Sequence, residues 1–154
     1  MGSFTSAATT DDYYLVLARL LPYKRIDIVI EAFNRLKRPL LVVGNGPDAA
    51  RLLRLAGPTV RFTGRVGGDA VRRYLSHCRA LVFPGDEGLG IAPLEAMASG
   101  HPVLAYRAGG ALETVLDGVT GQFFDAHGFD PAVLRTHVSE FDLPIFQQRL
   151  RAII

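Results

Sequence analysis

Short, mostly apolar runs recur along this chain between segments of helical period, and that alternation restricts its fold more than any other feature. The runs are Tyr13–Ala18, Leu40–Val43, Thr59–Thr63, 80–84, Pro102–Tyr106 and Gly121–Phe124. Apolar runs of this length without polar alternation belong to strands buried on both faces, as in parallel sheets. Between the first two, Ile26, Val29, Ile30, Phe33 and Leu36 recur at helical spacing with Asp27, Glu31 and Arg35 between them. Pro47 suits the first turn of a helix over Asp48–Ala56, and Gly67-Gly68-Asp69 opens one with Val71, Tyr74 and Leu75 on a single face. A helical segment leaves the 84–100 stretch, Ala111–Leu116 forms a short helix, and two more are expected from Asp130-Pro131 to about 141 and over Ile145–Ile154. Strands alternating with helices through short loops specify an α/β fold: a doubly wound parallel sheet of about six strands, covered on both faces. Such folds bind ligands at the carboxyl ends of the strands, beside the point where strand order reverses.

Composition narrows the function classes. The 154 residues suit one domain, taken as 13–154, preceded by a small polar segment, 1–12, that reads as a disordered linker or tag remnant. Seventeen basic against 15 acidic side chains leave a net charge of +2, scattered rather than clustered, which excludes a nucleic-acid partner. No apolar stretch approaches the roughly 18 residues a membrane span needs. The single cysteine, Cys78, allows no internal disulfide and fits a cytoplasmic location. His77, His101, His127 and His137 lack metal-ligand spacing, and no Gly-x-Ser-x-Gly element is present, so neither a metal centre nor a serine hydrolase is expected.

The loops after the apolar runs carry the chemistry. Arg19 and Lys24 follow the first, Gly44 and Gly46 the second, Gly64, Arg65 and Val66 the third, Glu87 the fourth, and Gly109 and Gly110 the fifth. Within Pro84–Gly100, Glu87 falls on a turn and Glu95 about one turn into the following helix. Between them, Gly88 and Gly90 thin the chain for backbone N–H approach to a ligand. Arginine offers bidentate contacts to a diphosphate and lysine a mobile point charge. A carboxylate such as Glu95 accepts from vicinal ribose hydroxyls, and Glu87 is suited to sugar hydroxyls or to positive charge at an anomeric carbon. Each residue also has an ordinary reading: Arg19 and Lys24 as solvated charges, Glu95 as a helix-surface glutamate, and Glu87 as a turn acid favouring the helix dipole by ~0.3–1 kcal/mol. Gly44-Asn45-Gly46-Pro47 is not a dinucleotide fingerprint, because it follows the second strand and a proline interrupts it.

Taken in order, Ala18–Arg25, Val43–Pro47, Phe62–Gly64, Glu87–Gly100, Ala108–Gly110 with Glu113, and Asp117–Gly121 resemble the C-terminal domain of retaining GT-B glycosyltransferases of family GT4. The resemblance covers about residues 13–125, and the wording around Phe83–Glu87 and Gly90–Pro93 is most similar to WbaZ-type mannosyltransferases. It implies a Rossmann-like half of a GT-B fold that binds a nucleotide sugar, GDP-mannose favoured over a UDP-sugar, with no further cofactor. Arg19 and Lys24 would hold the diphosphate and Glu95 the ribose. Gly44, Gly46, Gly64, Arg65 and Val66 would line the donor site, the last three around the base. Gly88, Leu89, Gly90, Ile91 and Ala92 would back sugar and phosphates, and Glu87 would be the catalytic-site carboxylate. The resemblance further implies retaining transfer to a glycan or lipid-linked acceptor and an absent N-terminal acceptor domain, without which the chain is expected to be inactive. Any peripheral membrane association would run through that half. An exposed cleft face including Leu20, Leu21 and Leu89 is a candidate homodimer surface. The competing readings are a fragment of a GT-B nucleotide-sugar 2-epimerase and a non-catalytic nucleotide-binding or interaction domain.

Overall fold

The computed structural model describes residues 12–85, 91–107, 111–115 and 121–124. Six strands form one sheet: β1 (Tyr14–Leu17), β2 (Leu40–Val43), β3 (Val60–Gly64), β4 (Ala80–Phe83), β5 (Val103–Tyr106) and β6 (Gly121–Phe124). Five helices separate them: α1 (Ile26–Leu36), α2 (Ala49–Leu55), α3 (Gly68–His77), α4 (Ile91–Ala98) and α5 (Ala111–Thr114). The spatial order is β3-β2-β1-β4-β5-β6, and every neighbouring pair is parallel. This is the doubly wound arrangement expected from the sequence, with β1 and β4 side by side at the reversal of strand order.

The absence of polar alternation in the strands follows from their two covered faces. Tyr14, Val16, Leu40, Val42 and Val82 point to one side and pack with Ile26, Val29, Ile30 and Phe33 of α1 and Leu52 of α2. Leu15, Leu41, Val43, Leu81 and Val103 point to the other and pack with Leu75, Ala96 and Ala111 of α3, α4 and α5. Cys78, directly after α3, is a fully buried member of the second cluster.

Element ends differ from the sequence expectation by a residue or two. β3 begins at Val60 and includes Gly64, α2 spans 49–55, and α5 stops at Thr114. The two helices expected beyond residue 130 lie outside the described residues. α1 closes where Lys37 adopts a left-handed conformation (φ 56°) and its amide donates to the Phe33 carbonyl at 2.9 Å. Asn34 ties α1 to the end of α2, donating to the Leu55 carbonyl and accepting from the Gly57 amide, both at 2.8 Å.

Candidate functional site

A parallel sheet delivers all its strand ends to one edge, and the loop leaving β1 is the best-defined part of that edge. The Ala18 amide continues the strand pairing to the Val43 carbonyl (3.1 Å), and the Leu20 amide donates to the Asn45 carbonyl (3.0 Å). The Leu20 carbonyl accepts from the Asp48 amide at 3.0 Å. A 3-10 turn over Pro22–Lys24 follows, and Arg25, left-handed at φ 53°, opens α1. Leu20 is 1% exposed, which overturns its placing on an open apolar face. Its side chain completes the α1 side of the core, because the backbone bonds on both sides of it turn it inward. Leu21 is half-buried, and Leu89 lies outside the described residues.

The glycines after β2 answer to this loop. A Cβ on Gly44 (φ 135°) would lie 1.8 Å from the Ala18 carbonyl oxygen, and one on Gly46 would lie 2.4 Å from the Leu20 carbonyl oxygen. The Gly44 amide donates to Gly64 at 3.0 Å and the Gly46 amide to the Asn45 side chain at 2.9 Å. Both positions therefore let two loops pack backbone against backbone. Gly64, at φ 73°, instead faces open space at the end of β3.

Among the described residues, Arg19 and Arg65 are exposed and make no ion pair. Lys24 is half-buried, with its ammonium 6.0 Å from the centre of the Tyr23 ring. Val66 and Ala92 pack against the second core cluster. Glu95 stands exposed on the second turn of α4, opposite the fully buried Ala96 environment that anchors that helix. Arg19 and the start of α4 thus flank the β1/β4 switch point, whereas Arg65 and Val66 follow β3, two strands or about 10 Å along the edge. Glu87, Gly88, Leu89 and Gly90 lie outside the described residues, as does the side chain of Ile91.

The structure adds a charge network that sequence reading missed. Asp48, 6% exposed, precedes α2 without capping it. Its carboxylate accepts two bonds from the Arg51 guanidinium, each at 2.8 Å. Arg51 also lies 3.7 Å from Asp27, which accepts from Arg25 at 3.1 Å. The hydrogen bonds from Arg51 hold the Asp48 carboxyl below the usual aspartate range, against the opposing effect of burial. Only the i,i+3 spacing of Asp48 and Arg51 was visible in the sequence, and that spacing alone signals a surface helix pair.

Comparison with known proteins places this geometry in context. The family model "Glycosyl transferases group 1" matches residues 4–141. A Mycolicibacterium smegmatis protein, the GDP-mannose-dependent alpha-(1-6)-phosphatidylinositol monomannoside mannosyltransferase, is 38% identical over 144 residues, 80% of this chain and 37% of its own length. A Streptomyces coelicolor D-inositol 3-phosphate glycosyltransferase is 33% identical over 82% of the chain and 32% of its own length. The chain thus spans about a third of these curated relatives. Among solved structures, Anabaena HepE in complex with UDP and glucose superposes with a TM-score of 0.80 at 21% identity, over 94% of this chain and 43% of that one. The C-terminal domain of a Francisella tularensis group 1 glycosyl transferase, LpcC, gives 0.74 at 22% identity, over 90% of this chain and 82% of that domain. At these identities the structural likeness establishes the fold.

Proposed function

The chain belongs to the group 1 glycosyl transferases, and from that premise we propose that it is the half of such an enzyme that holds a nucleotide-sugar donor. The observation that supports the reading is topological: the loop carrying Arg19 and Lys24 leaves β1, α4 with Glu95 follows β4, and β1 and β4 are neighbours at the switch point, within the family match. In this reading Arg19 and Lys24 neutralise the diphosphate and Glu95 accepts from the ribose hydroxyls. Arg65 and Val66 border the base, and Glu87 faces the sugar. The names of the mycobacterial relatives support GDP-mannose as donor. Gly44 and Gly46 act at one remove, by letting the β1 loop seat against the β2 loop.

The reaction we propose for the whole enzyme is retaining transfer. The bond from the anomeric carbon to the phosphate oxygen breaks, and the departing diphosphate takes the electron pair. An acceptor hydroxyl enters on the same face and passes its proton to the leaving phosphate oxygen. Arg19 and Lys24 would stabilise charge growing on the leaving group, and Glu87 the positive charge at carbon. Family membership favours this over a 2-epimerase or a non-catalytic module. The test is calorimetric titration of the chain with GDP, UDP, ADP and inorganic pyrophosphate. Glu95→Ala is expected to weaken the preferred nucleoside diphosphate about tenfold, the value of a hydrogen bond to a charged group, and to leave pyrophosphate unchanged. Equal loss for both ligands would remove Glu95 from the ribose, and no binding of any nucleotide would overturn the donor reading.

A further inference from the structure

We infer that Asp48 is a positioning residue for the diphosphate site: through Arg51 and Asp27 it fixes the loop that presents Arg19 and Lys24. The inference rests on the donor reading above. Two kinds of contact converge on that loop from α2. One is backbone: Leu20 donates to Asn45 and accepts from Asp48, both at 3.0 Å, across the approach that Gly46 permits. The other is ionic and runs Asp48–Arg51–Asp27–Arg25, from the start of α2 to the residue that ends the loop. Asp48 belongs to both, giving its amide to Leu20 and its carboxylate to Arg51. The loop is therefore held in its middle by the Asp48 amide, and its end is tied to the same residue through Asp27 and Arg51.

The chemistry of Asp48 fits this role better than ordinary helix capping. An aspartate before a helix usually accepts from the helix's first amides. Here it makes no such bond, is buried, and takes the full fork of Arg51. A bidentate arginine–carboxylate pair fixes direction as well as distance. A small displacement of groups that position charge is costly even when those groups are remote from the ligand.

The experiment uses Asp48→Asn in the full chain, titrated with GDP, inorganic pyrophosphate and guanosine. Loss of the ionic tether is expected to weaken GDP and pyrophosphate alike by about three- to tenfold and to leave guanosine unchanged. Asp27→Asn, which breaks the network at a residue outside α2, is expected to act in the same direction. Amide exchange provides a second readout without ligand. The hydrogen-bonded amides of Leu20, Leu21, Lys24 and Arg25 should exchange faster in both variants, while those of Val16 and Val42 in the core keep their protection. Unaltered loop exchange would overturn the clamp whatever the ligand data. Unaltered pyrophosphate affinity with a loosened loop, or tighter binding through a released Arg51, would overturn its role in donor binding. Wild-type protein that binds neither GDP nor pyrophosphate would overturn the donor reading and that role together, and the exchange data would then judge the clamp alone.

Discussion

Asp48 should leave a signature in acid. Its carboxyl titrates below the ordinary aspartate value of about 3.9 because Arg51 bonds to the charged form. A folded-state value below the unfolded one stabilises the native chain fully above about pH 4, and that stabilisation fades as pH falls through the depressed value. Urea midpoints of wild type and Asp48→Asn should therefore differ by a constant amount from about pH 7 to about pH 4 and converge below it. A gap that closes near neutrality, or one unchanged at about pH 2, would contradict the assignment. Glycine offers a contrast at the same scale. Gly44→Ala drives a methyl into the Ala18 carbonyl and should cost about 3 kcal/mol or more, since backbone cannot yield as a side chain can. Gly64→Ala meets open space, so only its left-handed backbone resists, at about 1–2 kcal/mol. Chemical denaturation of both variants would set clash plus strain at Gly44 against strain alone at Gly64.

At the scale of elements, α1 carries Phe33, a fully buried ring set against Tyr14 of β1 with centroids 5.1 Å apart. Phe33→Ala should cost about 3–5 kcal/mol, whereas Leu53→Ala on the exposed side of α2 should stay within about 0.5 kcal/mol. Similar losses for the two would mean that α1 does not anchor its face of the sheet. The same contrast explains what was legible from sequence. α1 announced itself because its apolar stripe repeats at the period of the helix, and the strands did because both of their faces are buried. Leu20 was misread because it sits in a loop, where no period says which way a side chain turns. Only the hydrogen bonds that its amide gives to Asn45 and its carbonyl takes from Asp48 decide that. Gly44 and Gly46 were expected to line the donor site; the structure shows that their missing side chains accommodate the neighbouring loop. The Asp48 network was invisible because it joins two helices that are apart in sequence and meet only in the fold. For the candidate site, Arg19, Lys24 and Arg65 stand out in the sequence because loop polarity contrasts with apolar runs, and Glu95 because it falls early in a helix, while the residues that hold those loops in place carry no local mark.

Across the described residues the sheet is parallel throughout, so the carboxyl ends of its strands face one edge, the wall at which the proposed donor would lie. That wall accounts for about a third of the length of the transferases it resembles. Retaining transfer asks for more than donor binding, because the acceptor hydroxyl must sit within reach of the anomeric carbon on the face the diphosphate leaves. Holding two reactants in such an arrangement is worth about 7–11 kcal/mol of the barrier, or effective molarities of about 10⁵–10⁸ M. Donor binding at this edge alone does not supply that contribution, and no strengthening of Arg19, Lys24 or Glu95 adds it. The 154-residue chain, incubated with GDP-mannose and a soluble mannoside, should therefore bind the donor yet release GDP no faster than a Glu87→Gln variant. Sustained GDP release with a mannosylated product would show that this edge positions both substrates by itself. Binding without release would limit the role of this edge to donor capture.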